Sequence, residues 1–119
     1  MDKAFEDVQA EEALKRIKTQ KDLQLIDVRE IDEFEFGHIS EAKNFPLSTF
    51  SEQLPKQLSA DKPILCYCKA GIRSAYAAEI LKQLGFKQVG SISGGLYSVN
   101  ILLEKKIRVL EHYSTHQHY

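Results

Sequence analysis

Two short runs of the chain, Leu23–Val28 and Pro63–Tyr67, are apolar almost throughout and include β-branched or aromatic residues. A strand with one face in water alternates polar and apolar residues, whereas a strand covered on both faces does not. The two runs therefore read as buried strands of a parallel sheet. Helical periodicity surrounds them. Ala10, Ala13, Leu14 and Ile17 form one stripe, with Glu11, Glu12, Lys15 and Lys18 on the other side. From Arg73 to Leu84, Ala77, Ile80, Leu81 and Leu84 repeat the pattern, and Gly85 stands where a C-terminal cap belongs. A third strand, Gln88–Ile92, follows directly. Strands alternating with helices predict an α/β domain with a mainly parallel sheet.

Short helical turns are expected at Asp32–Phe36 and at Thr49–Leu58, the second interrupted by Pro55. After Gly94-Gly95, the residues Val99, Leu102, Leu103, Ile107 and Leu110 recur at helical spacing. They predict a helix running towards His112, then a loose polar tail. The organisation expected is one domain over residues 1–103, with a C-terminal helical extension and tail over 104–119.

Composition narrows the function classes. A chain of 119 residues suits one domain with a real core, and 43% hydrophobic with 28% charged residues is ordinary for a soluble globular protein. A net charge of −1 gives no general attraction to nucleic acid or an acidic membrane surface. The start has no basic segment followed by an apolar run, and no stretch reaches membrane-spanning length. A cytoplasmic location is expected. Two cysteines, Cys66 and Cys68, make no disulfide framework.

The chemistry is concentrated where the strand ending at Tyr67 meets the helix beginning near Arg73. Ligands of open α/β sheets sit beyond the carboxyl ends of the strands. A helix start there offers unpaired N–H groups and the positive end of the helix dipole. Cys68 at that point gains a stabilised thiolate, and the same donors can hold an anion. Ala70 and Gly71 let the loop curl tightly, and Lys69 and Arg73 add positive charge. An unperturbed thiol, with a pKa of about 8.5, is only a few per cent ionised at pH 7, so such support matters. Free cysteines more often fill space, which is the reading for Cys66 inside the strand. Packing alone does not require the combination found around Cys68.

Cys68-Lys69-Ala70-Gly71-Ile72-Arg73-Ser74 resembles the active-site loop of the rhodanese-like sulfurtransferase family. Other segments agree in order: Asp27-Val28-Arg29 with Glu33-Phe34, Gly37-His38-Ile39, Asn44-Phe45-Pro46 and Ser93-Gly94-Gly95. The likeness runs from about Phe5 to Asn100. Where the family often has Trp four residues after the second glycine, this chain has Val99.

The resemblance implies a five-stranded, mostly parallel sheet flanked by helices on both faces. It implies that Cys68 takes sulfane sulfur from thiosulfate or a persulfide donor and holds it as a persulfide. The sulfur then passes to cyanide, a thiol or a protein acceptor. The backbone N–H groups of Lys69, Ala70, Gly71, Ile72 and Arg73 would cradle the terminal sulfur, with no metal or organic cofactor required. Asp27 and Arg29 are read as a structural ion pair, and His38 as stabilising a turn rather than acting as a base. His112, His116 and His118 are read as part of a solvated tail, since nothing at matching spacing completes a metal site.

Two other functions compete. A Cys-dependent phosphatase or arsenate reductase needs one more residue between Cys and Arg; here Lys69, Ala70, Gly71 and Ile72 intervene. A non-catalytic binding or regulatory module typically lacks the loop cysteine, which this chain retains.

Overall fold

The computed structural model describes residues 3–50 and 56–117. Five strands, β1 (Glu6–Val8), β2 (Gln24–Asp27), β3 (Lys43–Asn44), β4 (Ile64–Tyr67) and β5 (Val89–Ile92), form one sheet in the order β1-β5-β4-β2-β3. Each adjacent pair is parallel, so the expectation of a mostly parallel sheet is met in full. Four helices lie wholly within the described residues: α1 (Ala10–Thr19), α2 (Ile31–Phe36), α3 (Ile72–Gln83) and α4 (Gly95–Gln117). A 3-10 turn spans Leu47–Thr49. The helical segment expected at Thr49–Leu58 lies partly outside the described residues, as does Pro55.

The near-continuous apolar runs have the cause inferred from sequence. Successive strand residues point to opposite faces, and here both faces are covered. On one face Ile26, Ile64 and Cys66 pack with Ala77, Ala78 and Leu81 of α3. On the other, Leu25, Leu65 and Tyr67 pack with Ala13 of α1 and Val99 of α4. Fully burying such a side chain is worth about 1.5–3 kcal/mol, so neither layer is dispensable. Val99, where the family often has Trp, is itself buried in this second layer.

One expectation is corrected. The last helix continues through Gln117 instead of giving way to a loose tail after His112, so the backbones of His112 and His116 are helical. His118 lies outside the described residues. From Leu103 to Glu111 every residue is exposed. The apolar spacing belongs to a helix that is buried at Val99 and projects beyond Leu102. Among the described residues, no helix is long and apolar enough to cross a membrane.

β4 occupies the position that matters for a site. The connection from β4 leads to β5 on one side, while that from β2 leads to β3 on the other. The loops after β2, β4 and β5 therefore gather at one end of the sheet, where open α/β folds place their ligands.

Candidate active site around Cys68

Cys68 is the first residue beyond β4 and is 1% exposed. Its chain turns at Gly71, which takes φ +97° and caps the N-terminus of α3. That left-handed conformation favours glycine. It also curls the loop back, so that the Gly71 N–H donates to Cys68 Sγ over 3.1 Å. The Ser74 N–H, in the first turn of α3, donates over 3.3 Å. Helix N-terminal N–H groups lack intrahelical acceptors, and here one of them serves the sulfur.

Burial pushes the Cys68 thiol up, but the Ser74 hydroxyl and the N–H groups of Ser74, Gly71 and Ala70 together hold it below the ordinary thiol value. The shift is towards thiolate, the form that acts as nucleophile. Cys66 is the opposite case: burial pushes its thiol far up, and the nearby Cys68 adds to the effect. Both cysteines are free. The same residue type two positions apart is thus inert in the strand and activated at its end.

Two further groups complete the nest. Ser74 Oγ lies 3.5 Å from Cys68 Sγ and 2.8 Å from Ser91 Oγ of β5, and both serines are buried. The N–H groups of Leu96 and Tyr97, in the first turn of α4, donate to the carbonyls of Cys68 (2.8 Å) and Lys69 (3.0 Å). This contact requires Gly95. A Cβ there would stand 2.4 Å from the Cys68 carbonyl oxygen and 2.7 Å from the Lys69 carbonyl, and φ is +58°. The double glycine noted in the sequence is what lets α4 approach the loop.

Of the residues singled out from sequence, Cys68, Ala70 and Gly71 come together at the sulfur. Lys69 is exposed at the rim, and the Ile72 side chain points to solvent. Arg73 is not the free cation that the sequence suggested. Its guanidinium is held bidentately by Glu33 of α2, Nη1 to Oε1 at 2.7 Å and Nη2 to Oε2 at 3.0 Å. Glu33 also accepts from the Glu30 N–H over 3.1 Å, as half of a capping box at the start of α2.

Asp27 and Arg29 play the structural role expected of them. The buried Asp27 carboxylate accepts from the Arg29 backbone N–H, Nε and Nη2, and Arg29 Nη2 also reaches the Gly37 carbonyl. Asn44 Nδ2 donates to the carbonyls of Asp27 and Arg29, tying β3 to the same corner. His38 stacks on Phe34 with centroids 3.6 Å apart, and its Nδ1 lies 2.7 Å from the Phe34 carbonyl oxygen. It stabilises the turn after α2, where the Ile39 N–H donates to the Tyr67 hydroxyl.

Beside the loop is a cleft of about 370 Å³, lined by Arg29, Glu33, Phe36, Lys69, Leu96 and Tyr97. A second hollow, of about 300 Å³, lies where β4 and β5 begin, at the opposite end of the sheet. Arg16, in its lining, is already paired with Glu6 and Glu12, and the lining holds no cysteine, serine or threonine. The chemistry belongs to the Cys68 end.

Sequence reasoning missed Ser74 and Ser91 as parts of the site, and Glu33 as the partner of Arg73. Ser74 was within the quoted motif, and its place one turn into the helix was the available signal. Ser91 and Glu33 gave no local signal, because each reaches the loop only through the tertiary fold.

Residues 9–101 match the family described as the rhodanese-like domain. The chain is 44% identical over 72 residues to the uncharacterized protein YqhL of Bacillus subtilis, covering 60% of this chain and 56% of that protein. It is 42% identical over 80 residues to a tRNA uridine(34) hydroxylase of Salmonella paratyphi B, covering 63% of this chain but 23% of that enzyme. The aligned region thus spans about half or less of these curated relatives. A crystal structure of a rhodanese-related protein from Thermoplasma volcanium superposes with a TM-score of 0.71 at 35% identity, covering 80% of this chain and 90% of that one.

Proposed function

Because the chain belongs to the rhodanese-like family, we propose that it is a sulfurtransferase that carries sulfane sulfur as a persulfide on Cys68. One observation carries the reading: the N–H groups of Gly71 and Ser74 converge on a sulfur at the N-terminus of a helix. Donors fixed in advance around a developing negative charge need no reorganisation during the reaction. The thiolate attacks the outer sulfur of the donor, and the bond from that sulfur to the rest of the donor breaks. With thiosulfate the leaving group is sulfite; with a persulfide it is a thiolate. An acceptor thiol or cyanide then removes the sulfur and regenerates the Cys68 thiolate. Partners of this reading are a small sulfur donor and a thiol, cyanide or protein acceptor.

The test is intact mass spectrometry after incubation with thiosulfate or glutathione persulfide. A gain of one sulfur located at Cys68 is expected, and its absence with both donors overturns the proposal.

A phosphatase or arsenate reductase is disfavoured by loop size. A terminal sulfur is roughly one atom for converging donors to surround. A phosphoryl group brings three equatorial oxygens, each needing a donor at about 2.7–3.1 Å. The loop between Cys68 and Arg73 holds four residues, Lys69 to Ile72. Insertion of one residue after Gly71 is expected to abolish sulfur transfer. Efficient Cys68-dependent aryl-phosphate hydrolysis by the unmodified protein would favour the phosphatase instead.

A further inference from the structure

We infer that Glu33 sets the donor class of the Cys68 site, so that it loads from an organic persulfide in preference to thiosulfate. The inference rests on the sulfurtransfer reading above and concerns which donor that reaction uses. Two cationic side chains, Arg29 and Lys69, line the cleft, and a third, Arg73, is held beside it by Glu33, which also lines it. Arg29 is neutralised by the buried Asp27, with Nη2 and Oδ2 2.7 Å apart. Arg73 is neutralised by Glu33, which engages both of its terminal nitrogens. Among the described residues Lys69 has no ion-pair partner, so it alone supplies net positive charge. The N–H groups of Gly71 and Ser74 are already turned to the sulfur of Cys68.

Thiosulfate is a dianion and leaves as sulfite, again a dianion. A mouth with a single uncompensated cation gives it little charge to bind. The walls suit a different molecule. Phe36 is 96% exposed and Tyr97 65% exposed, and both line the cleft with Leu96. An inorganic anion has no use for such walls, whereas the carbon body of an organic persulfide can lie against them. The loading step balances without a further reagent. Cys68 thiolate attacks the outer sulfur of R–S–SH, the internal S–S bond breaks, and R–S⁻ departs with the electron pair. Cys68 keeps the outer sulfur as its persulfide, and the proton stays with that sulfur or passes to the departing thiolate.

Glu33 is a positioning residue in this account, since it acts through Arg73. The experiment measures kcat/KM for Cys68 persulfidation from thiosulfate and from benzyl persulfide at low ionic strength. It uses the full chain as wild type, Glu33→Gln, Arg73→Gln and the double variant. The ratio of the two donors is internal to each protein, so a reduced folded fraction cancels. Wild type is expected to favour benzyl persulfide. Glu33→Gln frees Arg73 and should move the ratio towards thiosulfate by about five-fold, the size of effect one part-exposed ion pair can exert. Arg73→Gln leaves Glu33 unpaired and should move it the other way. The double variant should return to the wild-type ratio. Phe36→Ala should raise KM for benzyl persulfide more than for thiosulfate. A wild-type preference for thiosulfate, or one common ratio across the four proteins, overturns the inference while leaving sulfurtransfer intact. Failure of wild type to gain sulfur from either donor overturns both.

Discussion

Ser91 Oγ lies 2.8 Å from Ser74 Oγ, and the pair links β5 to the sulfur of Cys68, 3.5 Å beyond Ser74. A hydroxyl can give its single proton to only one acceptor at a time. A thiolate at Cys68 can only accept, so it competes with the Gly71 carbonyl, 3.3 Å from Ser74 Oγ, for the Ser74 proton; the charged sulfur is the stronger acceptor, and Ser91 can then donate to the Ser74 oxygen. Ser74→Ala should therefore slow alkylation of Cys68 by iodoacetamide at pH 6, on the order of ten-fold, since a hydrogen bond to a charged group contributes about 1.5–3 kcal/mol. Ser91→Ala should slow it less, in the same direction. Alkylation of both variants at the wild-type rate would remove this chain of hydroxyls from the account.

The two cysteines should separate cleanly. Cys68→Ser is expected to keep the fold and lose all sulfur transfer, because only a thiolate forms the persulfide. Cys66→Ala should cost about 1–2 kcal/mol through a lost buried contact and spare turnover. Residues two apart on a strand are separated by about 6.6 Å, near the limit for a disulfide. A Cys66–Cys68 disulfide accumulating during turnover, detected by mass after alkylation, would contradict this assignment.

Gly95 offers a test of backbone approach. Gly95→Ala places a Cβ against the carbonyls of Cys68 and Lys69 at positive φ, so it should destabilise the domain by about 2–4 kcal/mol and also impair transfer. Gly85→Ala, at φ +97° but with open space around its Cβ, should cost only about 1–2 kcal/mol and leave the sulfur chemistry alone. Urea denaturation and the persulfidation rate of the folded fraction measure both effects. Equal behaviour of the two variants would show that the close contact does not matter.

The Glu33–Arg73 pair also makes a prediction in pH. Bonding to Arg73 outweighs the opposing effect of burial and, with the Glu30 N–H, holds the Glu33 carboxyl at about 2 against an ordinary 4.5. A depressed carboxyl favours folding fully above its unfolded value, and that contribution fades as pH falls from about 4.5 towards 2. Glu33→Gln should flatten the dependence of stability on pH in that window and change little between pH 6 and 8. The pair is about one-third exposed, so the difference should be modest and shrink with added salt. An identical pH dependence in both proteins, read by denaturant titration, would count against the pair.

What the sequence disclosed and what it withheld follow from the range of the forces involved. β2 and β4 were legible because burial on both faces removes the polar alternation from Leu25-Ile26 and Leu65-Cys66. The Cys68 loop was legible because strand end, glycine turn and helix start are consecutive in the chain. The occupation of Arg73 was not, since its partner lies forty positions earlier and only the docking of α2 brings the two together. The end of α4 differed for another reason: a loose tail was expected after His112, and the helix runs on to Gln117. Leu103, Ile107 and Leu110 have the spacing of a buried stripe, yet each is exposed in a helix that extends beyond the domain body. Spacing reports which residues share a face, not whether anything covers it.

The two hydrogen bonds from the start of α4 to the carbonyls of Cys68 and Lys69 have a consequence for the loop's polarity. In a trans peptide unit the oxygen and the N–H point in opposite directions. Fastening those oxygens to Leu96 and Tyr97 fixes the orientation of the two peptide units that follow Cys68. A flip of either unit would present a lone pair where incoming sulfur carries its negative charge, and would break a bond to α4 as it did so. The last helix of the chain thus acts as a latch on peptide orientation, without touching sulfur itself.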